Sequence, residues 1–180
     1  MAGRPRNPQL DGDILDAARH LIRTAGSAGC TIGTVASYAG VPRSTVYSRW
    51  PSRHALIDAA IAPLFTNPVP DTGDERADLR SWLDADDALI TGPFGIAAAT
   101  LLATSREPDG PMLADLATAI QQRRRDVGRR FGGQDEGAQV KIRAVYDAMW
   151  GRCVTTGPDH GDGPRASSMP EELMRLILDA

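Results

Sequence analysis

Two cysteines and a single lysine are all that 180 residues hold of either type, and aromatic residues make up only 5%. Cys30 and Cys153 stand far apart with no CxxC or Cys/His spacing, so neither a disulfide framework nor a structural zinc site is indicated, and a reducing compartment fits best. The histidines, His20, His54 and His160, share no helical face, and no multi-histidine metal site is expected. No GxSxG, HExxH, GxGxxG or P-loop pattern occurs, which argues against an enzyme of those classes. No cofactor is implied. Long apolar runs are missing too. The charge-free apolar stretch from Leu89 to Ser105 is 17 residues and carries Gly92, Pro93 and Gly95, short of the ~20 that span a bilayer. It reads as a buried helix, with no membrane partner. The N-terminal MAGRPRNPQLDGD has charge but lacks the apolar core of a signal peptide, which predicts a cytoplasmic chain.

What is present is the composition of a globular protein, 42% hydrophobic and 24% charged, at a length that supports one compact domain or two small ones. The net charge of −3 hides an asymmetry. Residues 1–56 hold seven arginines against three acids, net +4, whereas residues 57–180 hold 13 basic residues against 20 acidic ones, net −7. A basic N-terminal module on an acidic body is the pattern expected when one end alone meets a polyanion.

From Asp11 the apolar positions Ile14, Ala17, Ala18, Leu21, Ile22 and Ala25 recur at helical spacing, with Gly26 and Gly29 as the stop. Thr31 can cap a short second helix carrying Ile32, Val35, Ala36 and Ala39, ended by Gly40. Pro42 suits the first position of a third helix running to Trp50, with Val46 and Trp50 on one side and Arg43, Ser44, Tyr47 and Ser48 mostly on the other. Pro51 breaks it, and Ser52 can cap a fourth. Two short helices about a tight turn, supported by longer ones, make a helix-turn-helix whose third helix is slim and polar enough to enter the major groove.

The stretch from Gly29 to Ile57, GCTIGTVASYAGVPRSTVYSRWPSRHALI, resembles the DNA-binding signature of TetR-type transcriptional regulators. The shared spacing runs through Thr31, Ala36, Ala39-Gly40-Val41, Thr45-Val46-Tyr47, Trp50, Ser52 and Leu56, and the clear match covers residues 11–60. Two positions depart from the family pattern: Arg53 where lysine is usual, and Gly33 where a charged residue is more common.

Arg43, at the start of a groove-bound helix, can bond bidentately to guanine O6 and N7, with a phosphate contact as the alternative. Ser44 and Ser48 can meet a base edge or serve as spacers that allow close approach. The resemblance implies phosphate contacts from the hydroxyls of Thr45 and Tyr47, and phosphate clamps at Thr31 and Arg53. It also implies that Arg4 and Arg6, in GRPR, form an arm that follows DNA, against the alternative of a solvated tail. Arg49 is a further general DNA contact.

Beyond Pro68 the chain reads as helices over 74–90, 93–104, 111–131, 138–155 and 170–179, without strand-like alternation. The expected fold is all-α: an N-terminal three-helix helix-turn-helix domain over 1–52, with a basic arm, and a helical bundle over 53–180. Trp82, Phe94, Leu101, Met112, Leu116, Ile120, Tyr146, Met149 and Trp150 are candidates for a pocket in that bundle, or simply its core. The arginine run 123–125, with Arg129 and Arg130, reads as a solvated surface around a helix.

By resemblance the bundle is the ligand-sensing and dimerising half, with the dimer formed through the last two helices. The implied function is a repressor, homodimeric on a palindromic double-stranded operator and released by a small-molecule ligand. A ligand-independent architectural or constitutive regulator is the alternative. The 53–65 helix, with Pro63 near its end, is the expected lever between the two parts.

Overall fold

A computed structural model describes residues 8–104 and 114–156. Arg4, Arg6, Met112, His160 and the expected helix over 170–179 lie outside the described residues. The described chain is helical, in the order α1 (Pro8–Gly29), α2 (Ile32–Tyr38), α3 (Arg43–Tyr47), α4 (Arg53–Ile61), a 3-10 turn (Ala62–Thr66), α5 (Glu75–Thr91), α6 (Pro93–Thr104), α7 (Ala114–Gly132) and α8 (Glu136–Thr156).

The apolar stripe of α1 buries Ile14, Ala17, Ala18 and Ile22. The helix is interrupted at Gly26, whose φ of 67° lies in the left-handed region that glycine occupies at no steric cost. Pairing α1 with α2, α4 and α6 makes one continuous core from Ile14 to Cys153, with Trp82 and Tyr146 its largest fully buried side chains.

The apolar stretch that begins at Leu89 is two helices, because α5 and α6 meet at Gly92 with a bend of 60°. No single helix among the described residues is long and apolar enough to cross a membrane. The expected lever is also in two parts. Its α-helical portion ends at Ile61, and the segment containing Pro63 continues as the 3-10 turn, consistent with a proline that cannot donate to the preceding turn.

The 3-10 turn packs on α7, and α4 meets both α6 and α7. Asp58 of α4 makes the junction with α7 polar. It is buried, and its Oδ1 accepts a hydrogen bond from the Leu116 N–H at 3.0 Å. Burial pushes its carboxyl up to about 6; the Leu116 bond opposes the shift and the charge of Asp115 adds to it.

Between about pH 4 and pH 6 the folded protein therefore holds a proton on Asp58 that the unfolded chain, near the ordinary value of 3.8, has already released. Stability tied to this group is present at low pH and is lost as pH rises from about 4 to about 6. Asp58→Asn, which cannot ionise, is expected to gain roughly 1–3 kcal/mol relative to the native protein between pH 4.5 and pH 7 in urea titrations. A stability difference that is the same at both pH values would refute the assignment.

Candidate nucleic-acid interface

The α2–α3 unit is built from local signals. The Thr31 Oγ1 accepts from the Thr34 N–H at 3.1 Å, and the Thr34 Oγ1 accepts from the Thr31 N–H at 2.9 Å, a reciprocal cap that satisfies two helix-end donors. Thr34 takes the place usually held by glutamate or glutamine, and also donates to the Gly29 carbonyl at 2.8 Å. At the other end Gly40 adopts a φ of 67°. Its N–H bonds to the Ser37 carbonyl at 3.3 Å, and the Val41 N–H to the Ala36 carbonyl at 3.0 Å. This paired closure turns the chain sharply and fixes the angle at which α3 leaves α2.

Helix α3 is shorter than its sequence predicts. Pro42 is its N-cap, with an extended ψ of 143°, rather than its first helical residue. The helix closes at Tyr47, where the N–H groups of Arg49 and Trp50 converge on the Val46 carbonyl. Pro51 explains the early stop, since it disfavours helical backbone at Trp50 and offers no N–H of its own. Val46 is fully buried and Trp50 packs against the core, so α3 is anchored from beneath. Arg43, Ser44, Tyr47 and Ser48 are exposed, Tyr47 at 54%, and Thr45 is half-buried. These residues form a polar face one short helix wide.

Arg43 is exposed and has no hydrogen-bond or ion-pair partner among the described residues. The other two arginines of this region are engaged internally. The Arg49 Nε donates to Asp11 of α1, and its Nη1 donates to the Thr45 carbonyl at 3.0 Å, tying the end of α3 to α1. Arg53 reaches from α4 to the end of α1, donating from Nε to the Cys30 carbonyl at 2.9 Å and from Nη2 to the Ser27 carbonyl. A cation over the last carbonyls of a helix is favourably placed against its dipole. Ser52 caps α4 by accepting from the Ala55 N–H at 3.1 Å. Arg19 adds a further tie from α1 to α4, bonding the Ala60 carbonyl at 2.7 Å.

In the body, a cavity of about 250 Å³ opens between the 3-10 turn, the loop after it, α5, α6 and α7. Leu64, Pro68, Pro70, Trp82, Leu89 and Phe94 give it an apolar wall, while Asn67, Ser81, Asp86 and Arg123 supply polar groups. Of the residues expected around a pocket, Trp82 and Phe94 line it. Leu101, Leu116, Tyr146 and Met149 are core residues, and Ile120 and Trp150 pack against the core.

The arginine run is a solvated surface only in part, at Arg125 and Arg129. Arg123 is 7% exposed and donates from Nε and Nη2 to both carboxylate oxygens of Asp86, at 3.1 and 2.5 Å, while its Nη1 donates to the Asn67 carbonyl. Arg124 makes a two-pronged pair with Asp147, and Arg130 bonds Asp78 at 2.8 Å and the Pro70 carbonyl at 3.1 Å. Arg129, by contrast, is 70% exposed. The run therefore serves mostly to hold α7 against its neighbours. Among the described residues no group of three or more histidine, cysteine or acidic side chains could hold a metal ion.

A family model described as "Bacterial regulatory proteins, tetR family" matches residues 14–60, the span from α1 through most of α4. Over 171 residues, 89% of this chain and 86% of the relative, the sequence is 26% identical to YdeS, an uncharacterized HTH-type transcriptional regulator of Bacillus subtilis strain 168. The crystal structure of the TetR family transcription regulator SCO0332 is similar at a TM-score of 0.63 and 28% identity, over 94% of each chain. A TetR transcriptional regulator from Rhodococcus sp. RHA1 shares the fold at a TM-score of 0.66 and 18% identity, over 96% of this chain and 97% of its own. A helix-turn-helix with a polar third helix identifies residues 14–60 as a DNA-binding domain of the tetR family of bacterial regulatory proteins, and the helical body joined to it shares the architecture of TetR-type transcriptional regulators.

Proposed function

We propose that the protein is a repressor that binds a palindromic operator as a homodimer, through α3, and leaves it when a small molecule occupies the body cavity. The observation that carries the ligand-responsive part is the position of Arg123. Its guanidinium forms part of the cavity wall and also holds the Asn67 carbonyl, directly after the 3-10 turn that continues α4. A molecule that enters the cavity meets the group that fixes the end of the lever. The ligand shifts the balance between two spacings of the DNA-binding heads only by its difference in affinity for them. Twofold symmetry would set the recognition helices ~34–36 Å apart, one turn of the duplex.

In this reading Arg43 contacts a base edge, Ser44 and Ser48 permit close approach, and Thr31, Thr45 and Tyr47 meet phosphates. Arg49 and Arg53 act by position, holding α3 and α4 to α1. The test is selection of duplexes from a random library by the native protein, followed by fluorescence anisotropy with the enriched duplex and a scrambled control. Arg43→Ala is expected to lose about 1–3 kcal/mol of the preference for the enriched duplex. A variant with the native preference would remove Arg43 from base reading. Small apolar molecules that fit the cavity should release the native protein from the enriched duplex; a protein insensitive to all of them would be a constitutive regulator.

A further inference from the structure

We infer that Gly33 is a specificity-determining position: the missing side chain on α2 makes a seat for the Arg43 guanidinium and so governs which base edge α3 reads. The inference rests on the DNA-reading role proposed for Arg43. A Cβ at Gly33 would stand 2.9 Å from the Arg43 Nη2, 3.1 Å from its Cζ and 3.2 Å from its Nε. The guanidinium therefore lies along the bare backbone of α2, and all three close contacts are with this one side chain.

Two physical consequences follow from this geometry. An exposed arginine without a polar partner has many rotamers, and ordering it on DNA costs up to ~2 kcal/mol of side-chain entropy. Contact with α2 restricts that freedom before DNA arrives, so the donor fork is partly pre-positioned. A methyl group at position 33 would evict the guanidinium from its seat while leaving the helix intact, because the far end of a flexible side chain is all that has to move. Alanine also favours helix over glycine, so the fold should be as stable or more so. Loss of reading without loss of stability separates this role from a merely structural one.

The experiment compares the native protein, Gly33→Ala, Arg43→Ala and the double variant by selection from one random duplex library, with base preferences read by sequencing and melting temperatures measured in parallel. The native protein should enrich a palindrome with one strongly preferred base pair per half-site that Arg43→Ala loses. Gly33→Ala should weaken the preference at that same pair about tenfold, leave the other positions unchanged, and melt no lower than the native protein. In the Arg43→Ala background the glycine change should have no further effect. A Gly33→Ala pool identical to the native one, or one altered at other positions, would overturn the inference while leaving the DNA-reading role standing. Failure of the native protein to enrich any sequence would overturn both.

Discussion

Arg123→Met is expected to destabilise the protein by about 3–5 kcal/mol, the loss typical when one member of a buried ion pair is removed and the other is left uncompensated. Asp86 and Arg123 have side-chain exposures of 5% and 7%, and the carboxylate accepts two of the guanidinium's N–H bonds. Without Arg123 the enclosed Asp86 carboxylate loses the guanidinium that pairs with both of its oxygens, and it must take up a proton or draw in water. The Asn67 carbonyl, by contrast, belongs to an exposed residue and can turn to solvent. The double change Asp86→Leu with Arg123→Met should recover most of the loss, because a buried pair exchanged for apolar groups of similar volume is close to neutral. Urea denaturation of the native, single and double proteins reads this directly. A single variant within about 1 kcal/mol of native would show that water already screens the pair.

A second large effect has a sign opposite to that of helix propensity. Gly95 lies in α6, and replacing a helical glycine with alanine ordinarily stabilises by about 0.5–1 kcal/mol. Here a Cβ would stand 1.9 Å from the Ile90 carbonyl oxygen and 2.4 Å from its carbon, atoms of the α5 backbone that no rotamer change can move aside. Gly95→Ala is expected to cost at least 1–3 kcal/mol, by forcing open the corner between α5 and α6. Gly12→Ala in α1, where nothing lies within 4 Å of the new methyl, is the control and should gain up to about 1 kcal/mol. Equal midpoints for native and Gly95→Ala would mean that the corner opens at little cost.

The parts of the molecule legible in the sequence are those whose signals act within a few residues. Thr31 and Ser52 cap their helices, Gly40 turns the chain, and the expected helices over 74–90, 93–104 and 138–155 lie within two residues of those observed. What the sequence could not show depends on partners far along the chain. Arg49 meets Asp11 and Arg53 meets Cys30, separations of 38 and 23 residues, and no local pattern distinguishes either from an arginine held out to DNA. Arg123 is hidden in the same way. Five arginines in eight positions encircle a helix, and only the packing of the 3-10 turn and α5 on α7 decides which of them is enclosed. The cavity was the least legible feature. Apolar periodicity marks the inner face of each helix, yet a void forms where that packing is incomplete, and this is set by the loop at 67–70 as much as by the helices.

The internal ties of Arg49 and Arg53 also bear on how the protein responds to ionic strength. Affinity for a duplex falls with salt in proportion to the phosphates that a protein neutralises, because each such contact releases condensed counterions. A cation already paired with a carboxylate, or held down onto helix-end carbonyls, within its own fold is less free to make such a contact. Of the five arginines described up to residue 56, Arg19, Arg49 and Arg53 have such partners, leaving Arg23 and Arg43. The arginine count of this half thus overstates the number of phosphates it is expected to neutralise, and the salt dependence of its binding should be correspondingly shallow.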